Sequence, residues 1–543
     1  MEPTVEIARV LSEACRSVVD RAVDRLAADT VKDGKVDLEL LDREQVFAYD
    51  LASIAGRVVA AEILRDSYAG RGELEAMLTA AFVGDVAADL EWRIAGRAEA
   101  WGGPSPLGSG DLAAPFAAAR GPELLEKIAR RVIANPDLPR QLSDELRMVR
   151  ETFGGFADTR VEPIAERVHR DDADIPEDII SELAEMGCFG LSIPDAYGGF
   201  AEGESADDFM SMVVVTEELS RGSLGVAGSL ITRPEILSKA LVKGGTDDQR
   251  QRWLPEIASG ALMCGVAVTE PDYGSDVANV KVTAREDGDA YVVNGVKTWC
   301  TFGGRADLLM LLARTDPDRS KRHRGLSLFV VEKPPFPGHS WEHEDGRGGR
   351  MRARAIGTLG YRGMHSFEIA FENFHIPAEN LVGGERGLGK GFYLQMDAFA
   401  NGRLQTAARA LGVMQAAFER AVAYANERQV FGVPLGAYQL TRAKLARMAA
   451  LIVASREFSY RCAALLGTGG GQLEASMVKS MSCLAAEWLT REAMQIHGGY
   501  GYAEEYAVSR YFVDARVLSI FEGADETLAL RVIIRRLLEE AAP

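Results

Sequence analysis

One glutamate stands where the chain offers it little water. In SIFEGADETLAL, Ser519 to Leu530, Glu522 follows Ile520 and Phe521 and precedes Gly523, and a helical pattern begins just beyond. An acid in that position can cap the helix or favour its dipole. Asp525 is placed to fill the capping role for TLALRVIIRRLLEE, which leaves Glu522 for chemistry. Phe521 and the apolar surroundings predict a desolvated carboxyl. Burial raises a carboxyl's pKa, and a raised pKa suits proton abstraction.

Other residues carry weaker signals. Arg428 in ERQVFGVPLGAYQ is the cation suited to a pyrophosphate, because its planar fork donates paired bonds; it also fits a solvated loop. In TEPDYGSD, Thr269 and Ser275 supply small hydroxyls, and Gly274 lets backbone approach a flat ligand; an ordinary turn reads the same way. Trp299 is either ligand-facing or simply core. Arg233 sits in the apolar helix SLITRPEILSKAL, where a guanidinium is costly unless paired; it could also face solvent or a nearby Glu. The six Cys and seven His are scattered, with no CxxC and no HExxH, so no protein-bound metal and no disulfide framework are expected. GGERGLGKGF and LLGTGGGQL do not follow a strand in a βαβ unit, so they are read as helix-connecting loops and not as nucleotide loops.

Helices and one sheet must position these groups. Residues 1–145 are helical and Ala-rich, with apolar residues at three- and four-residue steps. A second helical block covers 146–262. From 263 to 386 the period becomes two: MCGVAVTE, VKVTARED, AYVVNGVKTWCT, DLLMLLAR, LSLFVVEK and FEIAFEN read as strands, with a hairpin turn at Asp287-Gly288. No helices alternate with them, so the sheet is expected to be antiparallel or mixed. HEDGRGGRMRARA is read as a solvated loop. Helices return over 387–543. LASIAGRVVAAE near the front echoes LARMAALIVASR near the end, as a degenerate internal copy would, though Ala-rich helical hairpins all look alike.

The 543 residues are 47% hydrophobic and 26% charged, with formal charge −19, which argues against a nucleic-acid or anionic-membrane binder. No apolar run reaches the ~20 residues of a membrane span. The acidic start MEPTVEIARV has no signal or transit pattern, so a cytoplasmic protein is expected.

MCGVAVTEPDYGSDV, VNGVKTWCTFGG, LGYRGMHSFEIAFENFHIPAENLVG, YANERQVFGVPLGAYQ, QIHGGYGY and IFEG, in this order, resemble the acyl-CoA dehydrogenase family from about residue 145 to the end. The resemblance implies a mainly α fold. It has a helical domain, a central antiparallel or mixed, barrel-like β domain and a C-terminal four-helix bundle, here with an extra N-terminal helical segment. FAD is the implied cofactor. Val266, Val268, Thr269, Gly274 and Ser275 would form the flavin wall, and Trp299, Cys300 and Thr301 would face the ring. Arg428, Phe431 and Gln439, with Gln495, Gly498 and Gly499, would reach the FAD of a neighbouring subunit, so a homodimer or homotetramer is implied. Ala524 and Glu526 complete the cofactor set; Ala524 stands where the family usually has Thr, which removes a hydroxyl.

By the same resemblance Glu522 takes the α-proton of an acyl-CoA, and Ser275, Arg403 and Gly523 adjoin the substrate. Some relatives carry the base just before the Arg of an earlier helix; here that site reads Asn401-Gly402-Arg403, so Glu522 stands alone. The long front segment and GRGGRMRARAIGTLGYRGMHSFE look most like the branch acting on methylsuccinyl-CoA. Arg233 would then meet the distal carboxylate, and the arginines at 347, 350, 352 and 354 could meet CoA phosphates. An electron-transfer flavoprotein is the implied acceptor. The alternatives are another short- or branched-chain acyl-CoA dehydrogenase, an acyl-CoA oxidase and, remotely, a flavin-bearing DNA-binding protein of the alkylation-response type.

Overall fold

A computed structural model describes residues 1–203 and 205–541. Its chain contacts divide into two compact units: Met1–Glu145 with Thr406–Leu465 and Gly469–Pro543, and Leu146–Gln405 with Leu466–Thr468.

In the first unit, helix α1 (Glu2–Thr30) buries Ala8, Leu11, Cys15, Val18, Val19, Ala22 and Leu26, one stripe at helical spacing. Helices α2 (Gln45–Ser67) and α3 (Glu73–Ile94) are rich in Ala and Gly on their buried faces. Small side chains let backbones approach: a Cβ added at Gly84 would lie 2.7 Å from the Ala119 Cβ. The front segment also packs on the C-terminal helices of the same unit. A Cβ at Gly56 of α2 would meet the Met477 Cβ, in the C-terminal helix Gln472–His497, at 3.4 Å. Asp50, on α2, accepts bonds from Arg93 at 2.5 Å and from Arg97 at 2.7 Å, which tie α2 to the end of α3.

The second unit is built on an eight-stranded sheet. Its strands are β1 (Cys264–Ala267), β2 (Thr283–Asp287), β3 (Ala290–Thr301), β4 (Leu308–Arg314), β5 (Leu326–Glu332), β6 (Ser340–Glu344), β7 (Arg350–Ala355) and β8 (Ser366–Pro377). The path runs β1-β4-β2-β3-β8-β7-β6, with β5 on β4. The pairings β1–β4 and β2–β4 are parallel and the others antiparallel, so the sheet is mixed. Asp287 pairs with Ala290 across the hairpin, and Gly288 adopts φ 63 there.

The loop reading of 343–355 is corrected. Most of it forms β6 and β7, and the strand arginines are neutralised by cross-strand acids: Arg350 by Glu342 at 3.0 Å and Arg352 by Glu372. Every second residue of RMRARA is a cation, and alternation with only Met and Ala on the other face hid a period-two strand.

A buried ion pair braces the TEPDYGSD turn. Glu270 is 5% exposed and Lys297 fully buried. Lys297 Nζ donates to Glu270 Oε1 at 2.9 Å and to the Val268 carbonyl at 2.8 Å. The same carboxylate accepts the Lys281 and Val282 N–H groups at 2.6 and 2.8 Å. Burial depresses the Lys297 ammonium's pKa, and Glu270 opposes that shift. Removing one partner strands the other charge in the core. Lys297→Met is therefore expected to cost about 3–5 kcal/mol, read as a lower urea midpoint, and the double variant Lys297→Met/Glu270→Gln to recover part of it.

Candidate active site

Glu522 lies at the turn between helix Ala507–Leu518 and the short helix Asp525–Leu528. Its backbone is left-handed, φ 54, and Gly523 follows at φ 104. A non-glycine residue held there is strained, and such strain marks sites where surrounding contacts over-determine the backbone. Lys479 Nζ, itself fully buried, donates to the Gly523 carbonyl at 2.7 Å and pins the turn.

The side chain of Glu522 is 8% exposed, as the sequence predicts, but its surroundings are not apolar. Arg409 Nη2, on a fully buried side chain, donates to Glu522 Oε2 at 2.7 Å. Thr406 Oγ1 donates to the same oxygen at 2.5 Å, and Arg409 Nη2 also reaches Thr406 Oγ1 at 2.7 Å. The Arg409 guanidinium lies 4.7 Å from the Phe521 ring centroid. Thr406 and Arg409 are three residues apart on the long helix Gly391–Glu427, so they share a face. Sequence reading passed over both, because one Arg among Ala and Leu is indistinguishable from a surface residue.

Asp525 does not cap a helix with its side chain. It is 5% exposed, stands at the first helical position, and accepts bonds from Tyr49 Oη at 2.6 Å and from Ser480 Oγ. Burial first, and then Asp525, push the Tyr49 phenol's pKa up. Tyr49 belongs to α2, so the front segment grips the residue three positions after Glu522.

Two further motifs of this unit come together. The Tyr424 ring stacks on His497 at 4.3 Å, which sets the end of helix Gly391–Glu427 beside the end of helix Gln472–His497. Arg428, Phe431 and Gln439 follow the first helix end, while Gln495, Gly498 and Gly499 form the second, and all are exposed. Phe431 is 96% exposed with φ 49, and Leu440 is 71% exposed. Burial keeps the His497 imidazole's pKa low, and its Nδ1 bonds the Ala493 carbonyl at 2.8 Å. Ala524 precedes the short helix, and Glu526 is exposed.

In the second unit, β3 ends in the Trp299-Cys300-Thr301 segment. Trp299 is 54% exposed at φ 57, and Thr301 bonds Ser366 at 2.9 Å. Cys300 is corrected as a ring-facing side chain: it is fully buried in the sheet's core, where burial pushes its thiol up to about 12. Only its backbone remains available to a ligand. The Thr298 N–H donates to the Thr269 carbonyl at 2.8 Å, so the TEPDYGSD turn lies alongside this segment. Val268 is buried and Val266 half-buried, while Gly274 and Ser275 are exposed. A Cβ at Gly274 would meet only Thr269 Cγ2, at 3.9 Å. The chain's own packing therefore leaves open space at this turn.

Arg233 is 6% exposed, which excludes the solvent-facing reading; its guanidinium lies 5.9 Å from the Tyr361 ring centroid. Its neighbour Glu235 accepts bonds from Ser192 at 3.0 Å and from Gln405. Arg403 is half-buried. Asp172, His339 and His365 offer ligand atoms within 4.8 Å of one another, and Arg362 supplies a cation 3.5 Å from the Asp172 carboxylate. These residues form an ion-pair cluster, in which Arg362 follows Tyr361 and His365 precedes Ser366, the partner of Thr301.

In the second unit, the exposed indole beside small hydroxyls and an open glycine turn fits a flavin ring; in the first unit, taken by itself, the exposed Arg428 at the helix end set beside the one that carries Gly498 and Gly499 fits a pyrophosphate. The comparisons agree. Residues 143–261, 265–374 and 389–538 match the profiles "Acyl-CoA dehydrogenase, N-terminal domain", "middle domain" and "C-terminal domain". The chain is 40% identical to the (2S)-methylsuccinyl-CoA dehydrogenase of Cereibacter sphaeroides, over 99% of this chain and 97% of the relative. The solved butyryl-CoA dehydrogenase of Megasphaera elsdenii superposes with TM-score 0.66 at 29% identity, over 73% of this chain and 98% of that one. A glutaryl-CoA dehydrogenase from Mycobacterium smegmatis, in complex with FADH2, gives TM-score 0.63 at 27% identity, over 71% and 93%.

Tyr49→Phe removes one bond to a buried carboxylate. It is expected to cost about 1.5–3 kcal/mol, seen as a lower unfolding midpoint, and to reduce kcat with unchanged FAD content.

Proposed function

The chain belongs to the acyl-CoA dehydrogenase family, and from that premise we propose that it oxidises (2S)-methylsuccinyl-CoA to mesaconyl-CoA. The enzyme class is an FAD-dependent oxidoreductase acting on the CH–CH bond of an acyl-CoA. The observation carrying the substrate is the 40% identity to a methylsuccinyl-CoA dehydrogenase over 99% of the chain, front segment included.

Glu522 is the base. Its carboxylate takes the proton from C2 of the acyl group, and the acid's buried position keeps water from competing for that proton. Lys479 and the Tyr49–Asp525–Ser480 bonds hold its backbone turn, so the carboxylate swings from a fixed anchor. FAD would supply the acceptor for the hydride lost from C3, and the product would carry a trans double bond between C2 and C3. Thr269, Gly274, Ser275, Trp299 and Thr301 would form the ring-side wall for the cofactor, with Val266, Val268 and the Cys300 backbone behind it, and Ser275, Arg403 and Gly523 would adjoin the thioester. Arg428 would pair with the pyrophosphate of a neighbouring copy's cofactor, which Phe431, Gln439, Gln495, Gly498 and Gly499 would also reach. Phe431, 96% exposed on the loop that carries Arg428, and Leu440, 71% exposed, offer apolar surface for that sharing. The reading includes a homodimer or homotetramer in the cytoplasm, with an electron-transfer flavoprotein as acceptor. Among the described residues no helix is long and apolar enough to cross a membrane.

Purified yellow protein mixed anaerobically with a panel of acyl-CoAs should bleach fastest with (2S)-methylsuccinyl-CoA. Bleaching by butyryl-CoA but not by methylsuccinyl-CoA would overturn the substrate. Glu522→Gln should retain FAD and lose about 10²–10⁴ in the rate of bleaching.

A further inference from the structure

We propose that Arg409 and Thr406 form the seat for the carboxylate at the far end of the acyl group, and so set the substrate class. The inference rests on the substrate reading above. In this structure two donors converge on one carboxylate oxygen, Arg409 Nη2 at 2.7 Å and Thr406 Oγ1 at 2.5 Å. That oxygen belongs to Glu522, the base itself. A seat built for a carboxylate thus lies within reach of the atom that takes the C2 proton.

Substrate length makes this adjacency matter. In methylsuccinyl-CoA the free carboxyl carbon is C4, two bonds from C2, and bonds of about 1.5 Å put the two roughly 2.5 Å apart. A cation reading that carboxylate must stand close to the base. Arg409 does so. A cation on the floor of a deep acyl pocket would suit a longer dicarboxylic chain.

The pairing of charges at the turn leads to the same residue. Among the described residues, Arg409 is paired with Glu522, and Lys479 and Asp525 are buried at the same turn. When Glu522 turns to take the C2 proton, the bond between Arg409 and Glu522 is given up, and the hydride lost from C3 carries its negative charge to the cofactor and not to this guanidinium. An acyl group bearing its own carboxylate restores an ion pair at Arg409, and a buried paired charge is favoured over a separated one. The Phe521 ring holds the guanidinium in place, and Thr406 supplies the second donor. When Glu522 turns to C2, the substrate carboxylate takes its place on these two donors.

The test compares holoenzymes with (2S)-methylsuccinyl-CoA and 2-methylbutyryl-CoA, which replaces the carboxylate by a methyl group. Arg409→Met should lower the kcat/KM ratio of the first over the second by about a hundredfold, Thr406→Val by about tenfold, and Arg409→Lys by less than Arg409→Met. FAD content and melting temperature establish folding, and Thr406→Val decides if Arg409→Met does not fold. Equal losses on both substrates would overturn the proposal, because Arg409 would then serve only to hold the base. A selective loss in Arg233→Met with none in the Arg409 and Thr406 variants would overturn it in favour of Arg233. Wild-type enzyme that oxidises 2-methylbutyryl-CoA but not methylsuccinyl-CoA would instead remove the substrate reading on which the proposal stands.

Discussion

The contact on which the active turn depends is the buried pair between Glu522 and Arg409. A carboxylate at 8% exposure needs a counter-charge or a proton, and here a fully buried guanidinium at 2.7 Å supplies the charge. The backbone beneath it is in the left-handed region, where a side chain costs roughly 1–3 kcal/mol of strain. Strain of that size persists only when contacts on both sides hold the turn. Lys479 holds it through the Gly523 carbonyl, and Asp525 holds it through Tyr49 and Ser480. The packing of the Ala-rich helices therefore has a local purpose: it carries Tyr49 and Ser480 to opposite oxygens of one carboxylate.

That arrangement gives the front segment a role that its composition conceals. Residues 1–145 contribute no motif of the dehydrogenase pattern, and the solved butyryl-CoA dehydrogenase covers only 73% of this chain. Yet α2 packs on the helix Gln472–His497 with Gly56 facing Met477, where an added Cβ would come into van der Waals contact at 3.4 Å. Small residues here are read first as helix formers. In the folded unit they are spacers that bring a phenol within 2.6 Å of an acid 476 residues away.

The legibility of the sequence followed the range of each interaction. Period-two strands such as Ala290–Thr301 were visible because alternation is local, and so was the Asp287-Gly288 turn. The alternating arginines at 350, 352 and 354 look like a solvated run until Glu342 and Glu372 are seen opposite them. Glu522 could be singled out because Asp525 offered a nearer candidate for the cap, although Asp525 then proved to be a bonded anchor. The apolar shelter inferred around Glu522 failed because Arg409 lies 113 residues earlier, on a helix whose sequence gives no hint of which face is inward. The family resemblance sets Cys300 at the ring with Trp299 and Thr301, whereas its side chain lies in the sheet's core.

Buried charges cost stability, and well-packed apolar residues of similar volume would often hold such a core as firmly or better. The chain nevertheless keeps Arg409, Lys479, Glu522 and Asp525 together, and spends buried donors on each. Stability alone does not account for the choice, since an uncharged turn would need neither the left-handed glutamate nor its guanidinium. The proposed role of Glu522 as the base would account for it. A carboxylate that must leave its guanidinium to reach C2 needs a partner ready to take its place, and the carboxylate of the proposed acyl group is such a partner. A charge pair that is merely structural would be indifferent to what binds beside it; one that is exchanged during turnover would not be. Specificity for an anionic acyl group would then come from the exchange of carboxylates on Arg409, as well as from contacts made on first binding.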